Sequence, residues 1–512
     1  MFKKGKFNFL IFLLICSGAL FSQNNGPNVV IIFADDMGYG DVSGLNPEAR
    51  TETPNIDYLI ENGITFSEAH ASASVCTPSR YGLLTGRYAF RGAARRVVNG
   101  FGGPVINRDR KTLGNIFKES GYVTACIGKW HLGVEWQTKN GRKPEYLQES
   151  GKSNVDYSRP ILTGPNDFGF DYSFVHTASL DMPPYLFIED HQVVDNQIVL
   201  TSDVYESEKD NTEYAWDKKH TREGDVYWRK GVWWRKGEMS ESFRIENCLS
   251  EILDNGIEYI TRRKSSPFFL YLPLTGPHTP WMPTDEFQGK SPIGDYGDFI
   301  LNIDHVVGEV IKALKNTGEF DNTIIVFSSD NGAYWPEEEI RLQGHDSNWG
   351  RRGQKGDVWD GGHRVPLVVH WPDEIRESFE YDGLTSLTDW YATFADFLDY
   401  DLGREEGEDS YSFLPVIKGN KEHHRNTMIH QGSNGMYAYR KGDWKYIDGL
   451  GSGGFTAPSR LEPSDNGVQG QLYNMSDNVK ESQNRYDTQR EMVQGMKTEM
   501  EEQIEMGRSN KN

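Results

Sequence analysis

The sequence predicts an α/β fold in which a large, mostly parallel sheet is flanked by helices on both faces. Five runs of consecutive apolar residues, at 29–33, 122–127, 268–272, 323–327 and 365–369, are typical of strands that are buried on both sides. Helical patterns lie between these runs, and alternation of strands with helices favours a parallel sheet. Because ligands bind beyond the carboxyl ends of such strands, the polar residues after each run are candidate site residues.

Two segments carry a clear helical signal. A helix is predicted to begin at Thr53-Pro54, because proline suits the first helical turn and apolar residues follow at the spacing of one helix face. A second helix is predicted to end at Gly318, since glycine commonly terminates helices. The apolar stripes are Ile56, Leu59 and Ile60 in the first helix, and Ile303, Val307, Val310 and Leu314 in the second.

A smaller unit is predicted after about residue 420. Residues 436–447 have the pattern of a hairpin that turns at Lys441-Gly442, and a charged helix ends the chain. We therefore predict one large domain at 23–420 and a C-terminal α+β subdomain at 421–512, with an antiparallel sheet and a terminal helix.

The amino terminus has the features of an export signal. A basic start, a short apolar core at 7–21 and a polar exit predict a signal peptide at 1–22, which is too short for an ordinary membrane span. Lipid attachment at Cys16 is not favoured, because Ile15 is larger than the small residue expected before a lipidated cysteine. We expect an exported, periplasmic or secreted protein without a membrane span.

The chain is acidic, with a formal net charge of −21 and an isoelectric point of about 5.1. This charge repels nucleic acid and anionic membranes, so neither is an expected partner. An anionic substrate would therefore need a local cluster of cations. After Cys16, the cysteines Cys76, Cys126 and Cys248 are too few for a disulfide framework, and a Cys126–Cys248 bridge stays open.

The stretch from Ser74 to Arg87 is the most informative one in the chain. Cys76 stands directly before Thr77-Pro78, where a helix is predicted to start, and Arg80 follows four residues later. A cysteine at a helix start gains from the positive end of the helix dipole. Alone, the stretch also fits a capped helix with a small buried thiol.

Four oxygen-bearing residues follow two of the predicted strands. Asp35 and Asp36 come after the run at 29–33, and Asp330 and Asn331 come after the run at 323–327. Converging carboxylate and amide oxygens suit a hard divalent cation, Ca²⁺ before Mg²⁺. Either pair alone would more often be a strand-ending turn, but two pairs with the cysteine motif between them favour a metal site.

The motifs together resemble the formylglycine-dependent sulfatases of the alkaline phosphatase superfamily. The similarity covers residues 27 to about 480. The chain departs from the family pattern at Asp360, where the family has glutamate. It implies an alkaline phosphatase/sulfatase-like fold and a catalytic domain at 23–420. The matching segments are Cys76-Thr77-Pro78-Ser79-Arg80, Leu84-Thr85-Gly86-Arg87, Gly128-Lys129-Trp130-His131-Leu132-Gly133, Gly276-Pro277-His278-Thr279-Pro280, Lys355 with 360–366, and 471–477 near the end.

The resemblance implies a role for each matched residue. Cys76 would be oxidised by a formylglycine-generating maturase to 3-oxoalanine, whose hydrate attacks sulfur. The metal ligands would be Asp35, Asp36, Asp330 and Asn331. The remaining roles are charge neutralisation at sulfate by Lys129 and Lys355, proton transfer by His131, protonation of the leaving oxygen by His278, and alignment of the hydrate by Arg80.

The sequence also suggests the kind of substrate. Residues 213–236 combine aromatic side chains with cations, including Trp233 and Arg235, a composition that suits stacking on sugars and pairing with sulfate. A strand pair with tryptophans in the core explains this segment equally well. Arg352, just before Lys355, and His363 complete the predicted substrate-binding set, with Lys129, His278 and Lys355. The stretch 180–185 resembles bacterial carbohydrate sulfatases, which favours a sulfated saccharide such as 6-sulfated galactose or galactosamine.

Two other functions stay open at this point. A phosphomonoester or phosphonate hydrolase of the same superfamily would share the metal pairs, although two lysines with one cation fit monoanionic sulfate better than dianionic phosphate. A secreted protein that binds sulfated glycans without cleaving them would result if Cys76 stays a thiol.

Overall fold

The computed structural model describes residues 26–205, 207–208, 214–217, 233–262, 266–422, 424–464 and 467–510. The predicted signal peptide at 1–22, with Cys16, lies outside these residues. Within them, no helix is both long enough and apolar enough to span a bilayer. Cys126 and Cys248 are free thiols, so the bridge between them that the sequence left open is not formed.

The strands of the described residues are, in chain order, β1 Asn28–Ala34, β2 Ile64–Phe66, β3 Ala69–His70, β4 Val123–Lys129, β5 Tyr146–Leu147, β6 Lys152–Ser153, β7 Tyr172–His176, β8 Phe187–Glu189, β9 Gln192–Val193, β10 Ile198–Leu200, β11 Ser207–Glu208, β12 Tyr214–Asp217, β13 Trp233–Arg235, β14 Glu238–Ser240, β15 Phe268–Pro273, β16 Thr323–Ser329, β17 Leu367–His370, β18 Phe379–Tyr381, β19 Thr385–Ser386, β20 Thr427–Gln431, β21 Tyr437–Lys441, β22 Trp444–Ile447 and β23 Gln471–Asn474.

The α-helices are α1 Pro54–Glu61, α2 Cys76–Thr85, α3 Leu113–Glu119, α4 Thr201–Val204, α5 Cys248–Arg262, α6 Asp295–Thr317, α7 Glu337–Gln343, α8 Asp360–His363, α9 Trp390–Phe397, α10 Leu414–Ile417 and α11 Arg490–Glu505. Both helices predicted from the apolar stripes are present as α1 and α6. Gly318 ends α6 in the left-handed conformation, with φ of 74°.

A mixed sheet of ten strands forms the centre of the molecule, in the order β18-β2-β17-β16-β1-β15-β4-β7-β8-β9. The five strands from β16 to β7 are parallel, which confirms the predicted parallel sheet for its centre. The edges depart from it, because β17 runs antiparallel to β16 and β8 runs antiparallel to β7. After β16 the chain enters β17 at the same rim of the sheet, without a helix that crosses back to the opposite rim. Such a return gives antiparallel pairing.

Both faces of this sheet are covered, which explains the continuous apolar runs. In β1, Val29, Ile31 and Phe33 pack into one core cluster, whereas Val30 and Ile32 pack into the other. Helices α2, α3 and α9 cover the first face, and α1, α5 and α6 cover the second. Since the polar rim at the carboxyl ends of the strands lies between these layers, its side chains are buried.

The smaller sheet consists of β20–β23 and is antiparallel throughout. Its β21–β22 hairpin turns at Gly442, with φ of 51°, as the sequence predicts. Helix α11 packs on this sheet through Val493, Met496 and Met500. A parallel bridge from Ala73 to Gln431 joins the smaller sheet to the segment that leads into α2. The domain boundary after residue 420 stays a prediction.

Candidate active site

Asp35, Asp36, Asp330 and Asn331, which we call the carboxylate cluster, meet at one rim of the large sheet. Ala34 pairs with Ser329 in the parallel β1–β16 register, so the residues that follow each strand lie side by side. The Nδ2 atom of Asn331 donates to Oδ1 of Asp36 over 2.7 Å. The backbone N–H of Asp36 donates to Asp330 over 3.2 Å. Potential ligand atoms of the three carboxylates and of Cys76 all lie within 4.8 Å of one another.

The oxygens of the carboxylate cluster fit a hard divalent cation. Oδ1 of Asp35 and Oδ1 of Asn331 are buried and accept no hydrogen bond from any described residue. Burial and the neighbouring Asp35 raise the pKa of Asp330, because two carboxylates repel each other where water is excluded. A bound cation would relieve both costs, and oxygen-only donors suit Ca²⁺ or Mg²⁺.

Cys76 is the first residue of α2 and is only 1% exposed. Burial raises the pKa of its thiol, although Lys129 and Lys355 act in the opposite direction. The unmodified side chain is therefore protonated and a poor nucleophile at neutral pH.

Arg80 lies one helical turn after Cys76 and is fully buried. Its Nε atom donates to Oδ2 of Asp330 over 2.9 Å, and one terminal nitrogen donates to the carbonyl of Lys129 over 3.0 Å. The other terminal nitrogen lies 3.4 Å from Oδ1 of Asp35. The planar guanidinium thus connects α2 with the strands that carry the carboxylates.

Two lysines enter the carboxylate cluster from opposite sides. Lys129 ends β4, and its Nζ donates to Asp35 over 2.5 Å and to Ser179 over 2.9 Å. Lys355 donates to Oδ2 of Asp36 over 2.7 Å. Burial alone would lower the pKa of Lys355, but Asp36 outweighs it and raises the pKa, so the ammonium stays charged.

The loop that carries Lys355 is fastened by the smaller sheet. The carbonyl of Gly356 accepts from the backbone of Ser433 over 2.8 Å, and the N–H of Val358 donates to Ser452 over 2.7 Å. The N–H of Asp360 donates to a carboxylate oxygen of Glu481 over 2.7 Å. Residues beyond 420 therefore fix the position of a lysine at the rim.

Two histidines complete the rim. His131 has φ of 53°, and its Nε2 lies 2.9 Å from the carbonyl of Val98, to which it donates. Burial, with Lys129 and Arg80, lowers the pKa of His131 well below its usual range, so Nδ1 keeps a lone pair. His278 lies with Nε2 3.7 Å from Oδ2 of Asp36.

Left-handed backbone occurs at two residues of this rim. Asp36 has φ of 64° and His131 has φ of 53°, a region in which non-glycine residues carry strain. Such strain persists only where the surroundings hold the backbone in place. A carboxylate oxygen of Asp36 lies within 4.8 Å of the sulfur of Cys76.

Two predicted substrate-binding residues lie in the segment near 235. The side chain of Trp233 lies outside the described part of the chain. Arg235 forms an ion pair with Asp181, which in turn lies with Oδ1 4.0 Å from Nδ1 of His278. Arg235 therefore lies near the rim, and its role in substrate binding stays a prediction.

Arg352 is directed elsewhere. Its guanidinium lies 3.6 Å from the ring centre of Trp359 and donates to the hydroxyl of Tyr473 and to the carbonyl of Glu481. Arg352 lines a pocket between the two sheets instead of pairing with the carboxylate cluster.

Substrate binding by His363 stays a prediction, and the structure places its ring in a second buried cluster. Its ring is fully buried, stacks on His430 with ring centres 3.8 Å apart and 10° between the planes, and lies with Nδ1 3.1 Å from Nδ1 of His70. We call His70, His363 and His430 the histidine cluster. The glycine-rich pattern around residue 363 gave no sign of these stacking partners.

Two contributors were missed by sequence reasoning. Ser179 accepts from Lys129, and Asp181 lies beside His278 with Oδ1 buried and unpartnered among the described residues. Both lie in a loop between β7 and β8. A lone serine or aspartate in a loop has no spacing signature, although the stretch 180–185 had indicated the region.

Comparison with known proteins identifies the family. The sulfatase family model matches residues 27–400.

The chain belongs to the sulfatase family.

The N-acetylgalactosamine-6-O-sulfatase of Bacteroides thetaiotaomicron is 31% identical to this sulfatase over 474 residues, which are 90% of this chain and 89% of the relative. A solved Bacteroides thetaiotaomicron structure, from work on the metabolism of multiple glycosaminoglycans, matches with a TM-score of 0.76 and 30% identity, covering 93% of this chain and 99% of that one. The phosphonate monoester hydrolase of Agrobacterium radiobacter matches with a TM-score of 0.56 and 16% identity, covering 94% of this chain and 96% of that one, and shares the fold alone. This sulfatase is a sulfuric ester hydrolase, as the sequence motifs predicted.

Proposed function

We propose that this sulfatase removes sulfate from a sulfated saccharide, using a formylglycine hydrate made from Cys76. The observation that carries the proposal is the convergence of Cys76, Lys129, Lys355 and His278 on one buried carboxylate cluster. Burial raises the pKa of the Cys76 thiol, so the unmodified cysteine would be a poor nucleophile.

The residues of the site suit two further reactive groups, an aldehyde at position 76 and a divalent cation. A hydrated aldehyde at position 76 supplies two hydroxyls on one carbon, one to attack sulfur and one to expel sulfate afterwards. A divalent cation held by Asp35, Asp36, Asp330 and Asn331, Ca²⁺ before Mg²⁺, supplies positive charge beside the sulfate oxygens. Since Cys76 is buried, the maturase would act before α2 is covered.

The chain's own residues complete the reaction. The ammonium groups of Lys129 and Lys355 would neutralise charge that develops on the sulfate oxygens in a site without bulk water. Nδ1 of His131, held unprotonated by its surroundings, would accept the proton of the second hydroxyl. Arg80 would hold position 76 and Asp330 in register through its fixed fork.

His278 would protonate the leaving oxygen of the sugar. Its Nδ1 lies 2.5 Å from the carbonyl of Thr279, to which it donates, so Nε2 is the atom that faces Asp36 and the rim. An alkoxide is a poor leaving group, and a proton delivered in the transition state accelerates its departure. Asp181 and Arg235 lie on the far side of this histidine, where they would contact the sugar.

The relatives support a sugar substrate. One is named an N-acetylgalactosamine-6-O-sulfatase and covers nine-tenths of the chain. We infer that the substrate is a 6-sulfated galactose or galactosamine unit of a polysaccharide or glycosaminoglycan fragment. The predicted signal peptide at 1–22 supports export of the protein to the outside of the cytoplasm, where such glycans are found.

Mass spectrometry and sulfate release test the proposal together. In a host with the maturase, the peptide that contains Cys76 should lose about 18 Da on conversion to the aldehyde. The purified protein should then release sulfate from 6-sulfated N-acetylgalactosamine. An unmodified thiol in active protein would exclude the formylglycine mechanism. A fully converted protein that binds sulfated glycans but releases no sulfate would be a binding protein.

A phosphate or phosphonate ester is the alternative substrate. Two lysines beside one cation site fit a monoanionic sulfate ester, whereas a dianionic phosphate calls for more positive charge. Comparing kcat/KM on nitrophenyl sulfate and nitrophenyl phosphate separates the two. A higher kcat/KM for phosphate release would exclude a sulfate ester as the preferred substrate.

A further inference from the structure

A pocket of about 620 Å³ opens between the two sheets, next to the loop that carries Lys355. Trp335, Arg352 and Gln354 line it from the part of the chain before residue 420, and Phe455 and Lys480 line it from the part after. A volume of this size lies within the range of small-molecule sites and accommodates a sugar residue. We call it the seam pocket.

Three cations and two carboxylates, Glu337 and Asp346, line the seam pocket, which leaves an excess of one positive charge in an otherwise acidic protein. Arg351, Arg352 and Lys480 line it, and within the described residues none of the three forms an ion pair with a carboxylate. The carboxylate of Asp346, also in the lining, already accepts from the backbone N–H groups of residues 348 and 350. In a chain of net charge −21, a pocket with an excess of cations that form no ion pairs in the described part of the chain favours an anionic ligand.

An exposed aromatic ring forms one wall of the seam pocket. Phe455 is 50% exposed, although phenylalanine is normally buried. Its ring lies against Gly356, where an added Cβ would come within 2.8 Å of the ring, and Gly356 has φ of 87°. Glycine at this position thus lets an aromatic platform lie directly beside the residue that follows Lys355.

The platform and the reacting centre share one short piece of chain. The ring of Tyr334 meets the ring of Phe455 edge-on, with centres 6.2 Å apart. The carbonyl of the next residue back, Ala333, accepts from the N–H of Lys355 over 2.9 Å. The pocket therefore lies beside the loop that carries Lys355 to the rim.

We propose that the seam pocket is a second sugar subsite, which holds an anionic residue next to the sugar being desulfated. This inference rests on the proposed function. Phe455 would stack on the pyranose ring, while Lys480 and Arg352 would pair with a carboxylate or sulfate on that neighbouring residue. The sulfatase would then prefer oligosaccharides of a polyanionic glycan over monosaccharides.

Kinetics on paired substrates test the subsite. The substrates are 6-sulfated N-acetylgalactosamine alone, and oligosaccharides in which the same unit is joined to a uronate, to a sulfated sugar or to a neutral sugar. Lys480→Gln should lower the kcat/KM ratio of anionic oligosaccharide to monosaccharide about tenfold, as expected for one charge-assisted contact. Phe455→Ala should lower the ratio by about the same factor, because stacking on the pyranose ring is lost. Lys312→Gln, on the exposed side of α6, removes the same charge and should keep the wild-type ratio.

The outcomes separate the subsite from the proposed function. An unchanged ratio in both variants, or a wild-type enzyme without preference for anionic neighbours, would overturn the subsite while leaving the sulfatase intact. The uronate and sulfated arms show which anion is recognised. If no substrate is cleaved, the proposed function fails, and calorimetry with the uronate oligosaccharide decides the subsite. Weaker binding by Lys480→Gln than by Lys312→Gln supports it, and equal or absent binding rejects it.

Discussion

Among the described residues, the buried side chains that lie close enough together to share a metal ion form two separate clusters, whose chemistry differs. The carboxylate cluster, with Cys76, and the histidine cluster each bring potential ligand atoms within 4.8 Å. In the carboxylate cluster, two oxygens lack a donor and like charges are held together. In the histidine cluster, the rings contact carbonyls, Glu68 or each other.

Ring orientation separates the two clusters further. A metal ion lies in the plane of each imidazole that binds it, but His363 and His430 stack with only 10° between their planes. Such planes do not meet near the rings, so both cannot bind one ion. The comparison teaches that unmet hydrogen-bonding capacity and ligand direction distinguish a metal site from a packed polar core, whereas proximity does not.

The largest expected effect is loss of the residue at position 76. Cys76→Ala should reduce sulfate release by about a thousandfold or more, because the nucleophile is removed while the charged rim stays. Release of nitrophenol from nitrophenyl sulfate measures this. Cys126→Ala, which removes another buried thiol, is the matched control and should keep activity. Comparable losses in both variants would show a folding defect.

Removal of a divalent cation should change the properties of the carboxylate cluster and leave the histidine cluster unchanged. Exhaustive chelation should lower kcat by about a hundredfold or more, since charge stabilisation of several kcal/mol is lost. Ca²⁺ should restore activity more fully than Mg²⁺. Zn²⁺ should not raise the melting temperature of the wild-type protein. A Zn²⁺ stabilisation that disappears in His430→Phe would contradict the distinction between the clusters.

Replacement of His278 should depend on the leaving group. His278→Ala should lower kcat/KM on a sugar sulfate by about a hundredfold, the lower range for general acid catalysis. The loss on nitrophenyl sulfate should be smaller, because nitrophenolate leaves without a proton. Parallel assays on both substrates measure the difference. Equal losses would assign His278 to binding and not to proton transfer.

The smallest effect concerns acid stability and the histidine cluster. Burial lowers the pKa of His70 to about 4, and the pKa values of His363 and His430 are also lowered well below the usual range. Between pH 6.5 and 4 the unfolded chain binds protons that the folded chain does not. Stability is therefore complete above pH 6.5 and falls on acidification, by up to about 1.4 kcal/mol per pH unit for each histidine.

Urea unfolding at pH 7 and pH 5 checks this slope. His430→Phe keeps an aromatic ring in the stack and removes one titrating group, so its stability should depend less on pH than that of the wild-type protein. Identical slopes in the two proteins would show that the histidine cluster does not control acid stability.

Sequence reasoning predicted the parts of the fold that local pattern determines. The five apolar runs became strands because both faces of the sheet are covered, and Gly318 and Gly442 stand where the backbone needs a left-handed residue. The antiparallel direction of β17 was not predictable, because direction depends on the path of the chain between 330 and 366. No local pattern encodes that path.

The site was predicted where motifs occur and missed where tertiary contacts decide. Asp35 and Asp330 came together because they follow strands that pair in parallel. The histidine cluster was not predicted, since His70, His363 and His430 come from distant segments. Ser179 and the carbonyl of Val98 each contribute one atom to the site. Such single contacts have no recognisable spacing in the sequence, so they could not be predicted.

The fastening of the Lys355 loop by Ser433, Ser452 and Glu481 has a consequence for how this protein can diversify. The same outer segments that hold the lysine also carry Phe455 and Lys480. If the proposed subsite binds glycan, changes in these surface side chains would retune the choice of glycan, while exchange of the whole segment would displace Lys355. Substrate preference is therefore open to gradual change, and wholesale shuffling of this region is disfavoured.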